Sequence, residues 1–245
     1  MKQNWKLAAA GGLGGAILAL VVVFVAAWAG ALPANERTIH DYMTAHPQIL
    51  TEMMAKLQAS QAEDDDRARQ LAVNKMGLTA FFDPKVAYIT GPRNAKKTFV
   101  EFFDYNCPYC RASVPSIKRF YDAHKHDTRF AFIEFPIKGP ESVAASRAAM
   151  AARRQPDKYL AFHFLLMNEQ QLVDEAIVMA DAKKAGLDIA KLQADMKSAE
   201  IENAIVASHR LARDAHIDGT PAFIVNGHIR EGGVDDADLK RMSQG

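Results

Sequence analysis

The run Phe99-Val100-Glu101-Phe102-Phe103-Asp104-Tyr105-Asn106-Cys107-Pro108-Tyr109-Cys110 decides how the rest of this 245-residue chain is read. Its first part is apolar on both faces, the pattern of a strand buried within a sheet. Its end holds both cysteines of the chain, at the head of a helix-like segment. Two cysteines cannot build a disulfide framework or a four-cysteine zinc site within one chain. A cysteine at a helix N-terminus has its thiolate stabilised by unpaired backbone N–H groups and the helix dipole. Cys107 takes that place as the expected nucleophile. Cys110, one turn later on the same side, is placed to resolve a mixed disulfide. Pro108 and Tyr109 tune the pair: Tyr109 cannot donate the cationic hydrogen bond that a histidine there would, which predicts a potential of roughly −120 to −270 mV. Two alternatives stay open on the residues alone, an inert buried pair and a two-thiolate copper(I) half-site completed by a second chain.

With 49% hydrophobic and 24% charged residues, the chain can bury one substantial core. Beyond residue 32, basic and acidic side chains number 28 and 29, which removes the electrostatic case for a nucleic-acid partner. Lys2 and Lys6 precede an uncharged stretch from Leu7 to Leu32, read as an export or membrane segment whose N-terminus stays in the cytoplasm. Its 26 residues favour an uncleaved signal anchor, since about 20 suffice to span a bilayer. The small-x-small sites Ala27-Trp28-Ala29 and Ala29-Gly30-Ala31 would instead suit a cleaved signal peptide. Both readings place the folded part outside the cytoplasm, in a periplasmic or other extracytoplasmic space where disulfides persist.

Residues 1–33 are thus the signal anchor or signal peptide. Residues 34–80 read as a helical stalk, with apolar residues at helical spacing and Pro47 opening a second helix. The stripe of Leu50, Met53, Met54 and Leu57 either folds back on its own domain or joins copies of the chain. Met43, Met53 and Met54 are read as packing residues rather than copper ligands. From 81 to 245 the order is strand, helix, strand, helical insertion (about 139–216), strand, strand, helix. Val86–Ile89 is the expected edge strand, Thr98–Phe103 the central one and Arg129–Phe135 the next. Asn226-Gly227 marks a hairpin between Ala222–Val225 and His228–Arg230. His124, His126, His163, His209, His216 and His228 show no ligand spacing and are read as surface or capping residues. Glu101, inside an apolar strand six residues before Cys107, is either a solvent-facing strand residue or a buried carboxyl able to shuttle the proton of Cys110.

That order, with Cys-x-x-Cys opening the first helix, resembles a thioredoxin fold carrying a helical insertion, as in the DsbA-like thiol:disulfide oxidoreductases. The segment Glu101–Cys110 is most similar to the ScsC (suppressor of copper sensitivity) type. Gly219-Thr220-Pro221-Ala222-Phe223 matches the family's threonine and cis-proline signature, and Pro115 falls where its active-site helix bends. Ile39-His40-Asp41-Tyr42 through His46-Pro47 is similar to the N-terminal region of ScsC-type proteins, some of which trimerise. The resemblance implies Cys107 as nucleophile, Cys110 as resolving cysteine and Glu101 as buried acid. It further implies substrate backbone pairing at Thr220 beside a cis Pro221, with no cofactor beyond the redox-active disulfide. The implied partners are cysteine-containing exported proteins, a membrane redox partner, and other copies of the chain in a dimer or trimer. Whether disulfides are introduced or isomerised is not implied. A copper-tolerance protein binding Cu(I) through Cys107 and Cys110 is the rival from another functional class.

Overall fold

The computed structural model describes residues 19–22, 24, 25, 28 and 36–244. The expected membrane segment, residues 7–32, lies largely outside them. No helix among the described residues is long and apolar enough to cross a membrane. The chain divides into two units, Met1–Ala62 and Glu63–Gly245.

In the first unit, α1 (Glu36–Ala45) ends before Pro47, which cannot continue a helix because its ring fixes φ and removes a donor. The next helix, α2 (Gln48–Met76), begins here and runs on into the second unit. Leu50, Met53, Met54 and Leu57 are all more than half exposed. Helix α2 runs straight through Glu63-Asp64-Asp65-Asp66-Arg67. Its end belongs to the second unit, which begins at Glu63. Arg69 and Gln70 cause this. Arg69 pairs with Glu231 (3.0 Å), and Gln70 donates to the Gly227 carbonyl (2.8 Å), while Val73 is buried.

The second unit is built on a five-stranded sheet of order β1-β3-β2-β4-β5. Its strands are β1 (Tyr88–Thr90), β2 (Lys97–Phe103), β3 (Thr128–Glu134), β4 (Ala222–Val225) and β5 (His228–Glu231). Only β2 and β3 run parallel, and they are joined by α3 (Pro108–His124). The edge strand starts later than Val86, because a turn consumes residues 83–87: Val86 and Ala87 N–H both donate to the Asp83 carbonyl, and Lys85 N–H to its carboxylate. Gly91 follows at φ 84°, where a Cβ would lie 2.1 Å from the Thr128 carbonyl oxygen; only glycine fits. Asn226 (φ 51°) and Gly227 (φ 91°) supply the left-handed pair that a two-residue hairpin needs. Between β3 and β4 lie five helices: α4 (Pro140–Ala152), α5 (Pro156–Asn168), α6 (Glu175–Lys184), α7 (Ile189–Asp195) and α8 (Ala199–Asp214). The last helix, α9, spans Asp236–Gln244.

The sheet carries a core on each face. Phe99, Phe103, Phe130, Phe132 and Phe223 pack with α3 and the helical insertion. Val100, Phe102, Ala131, Ile133 and Ile224 pack with Val73, Phe81 and Ala212 on the other. Strand alternation sorts the side chains, so the odd residues of β2 share the face with the cysteines.

Candidate active site

Strand β2 ends at Phe103, and the next residue fixes the geometry of the turn into α3. The buried Asp104 carboxylate accepts from the N–H of Asn106 (2.7 Å), Ile137 (2.7 Å) and Lys138 (2.9 Å) and from the Ser142 hydroxyl (2.7 Å). The Asp104 carbonyl accepts from Cys107 N–H (3.1 Å). This turn delivers Cys107 to the N-cap of α3 in extended conformation (φ −84°, ψ 119°), with Pro108 at the first helical position, where its missing N–H costs nothing. Further along, Ser113 accepts from Val234 N–H (2.9 Å) and donates to the Tyr109 carbonyl (3.0 Å), tying the first turn to the chain beyond β5. Tyr109 itself is exposed.

The two thiols are free, buried and driven in opposite directions. Cys107 is lowered to about 5, first by the hydrogen bond from Cys110, then by the Thr220 hydroxyl and the backbone N–H groups of Cys110 and Tyr109, against the opposing effect of burial. In its protonated form the Cys107 thiol donates to the Thr220 carbonyl (3.1 Å). Cys110 is pushed far up by burial first, then by its bond to Cys107 and that residue's charge, with a further contribution from Glu101. At neutral pH this is one thiolate and one thiol.

Glu101 is fully buried, on the face of β2 that Phe99 and Phe103 share with α3. The solvent-facing alternative is thereby excluded. Neither carboxyl oxygen has a partner, and burial raises the group to about 8. An acid poised there can give or take a proton near neutral pH. Thr220–Pro221 is a cis peptide bond, and the Thr220 hydroxyl has no partner apart from the Cys107 sulfur it faces.

Several residues around the dithiol carry no mark in the sequence. Asn106 and Arg111 bracket it: the Arg111 guanidinium donates to the Tyr105 carbonyl (2.9 Å) and to Asn106 Oδ1 (3.0 Å). His163, read as a surface histidine, is buried in the core and held below its usual range, to about 3, by burial first and then by Arg153. Its Nδ1 lies 3.1 Å from the Tyr105 hydroxyl. One turn earlier, Tyr159 donates to Glu134 (3.0 Å), which is ion-paired with Arg153. The apolar residues around His163 gave α5 a buried face, the available signal that this histidine faces inward. No cluster of three or more His, Cys, Asp or Glu able to hold a metal occurs among the described residues.

Comparison with known proteins agrees with this architecture. Residues 84–243 match the family model described as Thioredoxin, and residues 36–63 that of the copper resistance protein ScsC N-terminal domain. A thioredoxin-like oxidoreductase from Silicibacter pomeroyi is 38% identical with a TM-score of 0.64, over 69% of this chain and 96% of that one. ScsC of Proteus mirabilis, in a transitional conformation, is 27% identical with a TM-score of 0.64, over 88% and 96% of the two chains. The thiol:disulfide interchange protein DsbA of Bordetella pertussis is 27% identical, over 65% of this chain and 83% of that protein. Na(+)/H(+) antiporters also match, as with NhaA 3 of Salinispora tropica (28% identical over 171 residues), and the chain spans about a quarter of their length. On these matches the chain belongs to the thioredoxin superfamily, as a DsbA-like protein of the ScsC type.

Proposed function

We propose that the chain is a thiol:disulfide oxidoreductase acting on cysteine-containing polypeptides. The observation that carries the reading is the opposed displacement of two thiols on one helical turn, Cys107 down to about 5 and Cys110 far up. Cys107 thiolate attacks a substrate disulfide, joining one substrate sulfur and releasing the other as thiolate. Cys110 then passes its proton to the Glu101 carboxylate and attacks Cys107, freeing the reduced substrate and closing the Cys107–Cys110 disulfide. In reverse, a substrate thiolate attacks Cys107, and Cys110 departs with a proton from Glu101. A second substrate thiolate then attacks the substrate sulfur of the mixed disulfide, forming the substrate disulfide and releasing Cys107 as thiolate. A low-pKa thiol is the better leaving group, so the Cys107 shift favours the reverse, oxidising direction. Thr220 offers backbone to an extended substrate, which requires little sequence preference.

Location and assembly follow from the N-terminal half. Lys2, Lys6 and the apolar residues 7–32 support export and anchoring in the membrane, with the dithiol on the far side. The exposed stripe Leu50, Met53, Met54 and Leu57 supports self-association into a dimer or trimer, and an oligomer maintained in the reduced form by a membrane partner would isomerise disulfides. Solution mass together with refolding of a scrambled disulfide substrate tests this: an oligomer that restores native pairing is expected, and a monomer without isomerase activity leaves the oxidase direction. For the exchange chemistry, Cys107 alkylation measured against pH should show a midpoint near about 5. A midpoint above 8, with no oxidation of a reduced two-cysteine peptide, would reject it. The match of residues 36–63 to the N-terminal domain of a copper resistance protein supports a second reading, Cu(I) held by the two thiolates. Stoichiometric Cu(I) binding without disulfide exchange would favour it.

A further inference from the structure

Large apolar side chains are scarce on the surface of the Glu63–Gly245 unit. Leu71, Tyr109, Leu172 and Val206 stand more than half exposed there. Two of these four sit on segments that hydrogen-bond to each other around Cys107. Tyr109 lies within the Cys-x-x-Cys. Leu172 lies in the link between α5 and α6, and the residue after it, Val173, is fully buried in the core that contains both cysteines.

The fastening is made by Asn106, the residue before Cys107. Its side-chain oxygen accepts from Val173 N–H (2.8 Å) and its amide N–H donates to the Val173 carbonyl (3.4 Å). One short side chain thus pairs with both backbone groups of one residue, as a neighbouring strand would. Arg111, one turn into α3, holds the same Asn106 oxygen (3.0 Å). On its far side the link is fixed by Asp174, whose N–H donates to the Leu172 carbonyl (3.0 Å) and whose carboxylate caps α6 at Ile177 N–H (3.0 Å). With Val173 turned in, Leu172 turns out, although Leu172 would gain more by burial.

We propose that Asn106 is a positioning residue that holds the 169–173 link against the dithiol loop, and that Leu172 is a specificity-determining contact for an apolar side chain beside the reactive cysteine of a substrate polypeptide. The inference rests on the exchange reading above and names the substrate feature its site selects. The step it acts on is formation of the mixed disulfide. A substrate thiolate, its proton already lost to solvent, bonds to the Cys107 sulfur; the Cys107–Cys110 bond breaks, and its electron pair leaves on Cys110, which takes up a proton.

The test uses the full chain in its oxidised form and two extended single-cysteine peptides that differ only in Leu or Ser beside the cysteine. Mixed-disulfide formation against peptide concentration gives a half-saturating concentration and a limiting rate. The wild type should favour the leucine peptide by about 5-fold through the half-saturating concentration, the range of a partly exposed apolar contact. Leu172→Ser should abolish this preference, Leu172→Met should keep it, and Asn106→Ala should lose it as Leu172→Ser does. The alkylation midpoint of reduced L172S should stay at the wild-type value, separating a contact with substrate from a disturbed dithiol. A preference that survives in L172S overturns the contact, and one lost in L172S but kept in N106A overturns the positioning role. A wild type that exchanges with both peptides equally rejects the inference alone. One that forms no mixed disulfide with either rejects the exchange reading and this inference together.

Discussion

Glu101 and Glu134 make the most instructive pair in the molecule. They lie on the adjacent parallel strands β2 and β3, both fully buried, both on the sheet face that packs against α3 and the helical insertion. Glu134 has a cation, Arg153, and a hydroxyl donor, Tyr159, and Arg153 is further fixed by the Val86 carbonyl (2.9 Å). Glu101 has no partner at all. A buried carboxylate is costly unless paired or neutralised, and the two strands adopt one solution each. Pairing fixes Glu134 as scaffold, as four donors fix Asp104. Absence of a partner leaves Glu101 to hold its proton up to about 8, and so to trade it near neutrality. Burial alone therefore does not mark a working acid; burial without a partner, beside a thiol, is the feature that supports the proton-carrying role proposed for Glu101.

The comparison breaks most visibly at the paired member. Arg153→Met would leave Glu134 buried without its cation and should cost about 3–5 kcal/mol of stability, read from urea unfolding at pH 7. The double variant Arg153→Met with Glu134→Leu should recover most of it, since removing both charges removes the burial cost. A single variant within about 1 kcal/mol of wild type would show that the ion pair is not what settles Glu134. At the unpaired member the sign reverses. The folded value of Glu101 is above its unfolded one, so the protonated form is favoured by folding and wild-type stability falls as pH rises from about 4.5 through about 8. Glu101→Gln lacks that slope. Its stability relative to wild type should grow across this window by on the order of 5 kcal/mol and level off above it. Parallel pH profiles would place a charged, solvated carboxylate at Glu101.

This contrast is only half legible in the sequence. The central strand, the helix headed by Cys107 and the Asn226-Gly227 hairpin are readable because each depends on neighbours a few residues away. The carboxyl at 101 can be flagged from its apolar flanks, but its burial depends on β3 and β4, paired to it from distant parts of the chain. Arg153 and Tyr159 give no sign of Glu134, which is separated from Tyr159 by 25 residues of chain. His163 reads wrongly as a surface residue for a related reason: its partner, the Tyr105 hydroxyl, lies 58 residues away. Asn106 looks like a spacer before the cysteine, because the backbone it grips belongs to the link after α5. The end of α2 escapes notice because its anchors, Gly227 and Glu231, lie in the hairpin.

A kinetic test sharpens the comparison further. If Glu101 carries the Cys110 proton, Glu101→Gln should slow resolution of a mixed disulfide at Cys107 by roughly 100-fold, the lower range of general acid–base contributions. Glu134→Gln, chosen to keep the shape, should reduce stability without selectively slowing that step. Single-turnover release of a small thiol from the mixed disulfide measures both. Equal slowing in the two variants would mean that the distinction between paired and unpaired carboxyls does not divide scaffold from chemistry.

The smallest effect concerns the other unpartnered polar group at the site. The Thr220 hydroxyl resembles Glu101 in lacking a structural partner, and it acts on Cys107 where Glu101 acts on Cys110. Its contribution to the low Cys107 value is secondary to that of Cys110, so Thr220→Val should move the alkylation midpoint up by only about half to one unit. Linkage sets the sign: a thiol depressed in the folded state stabilises the reduced protein above its unfolded value near 9, and that gain is lost as pH falls toward about 5. With valine the full gain is smaller and its loss, which still begins near the unfolded value, is complete at a higher pH, so reduced T220V should be less stable than wild type at pH 7 by about 1 kcal/mol. An unmoved midpoint would leave Cys110 and the backbone N–H groups of Tyr109 and Cys110 to hold the thiolate alone. The unpartnered hydroxyl would then be an exception to the rule drawn from Glu101.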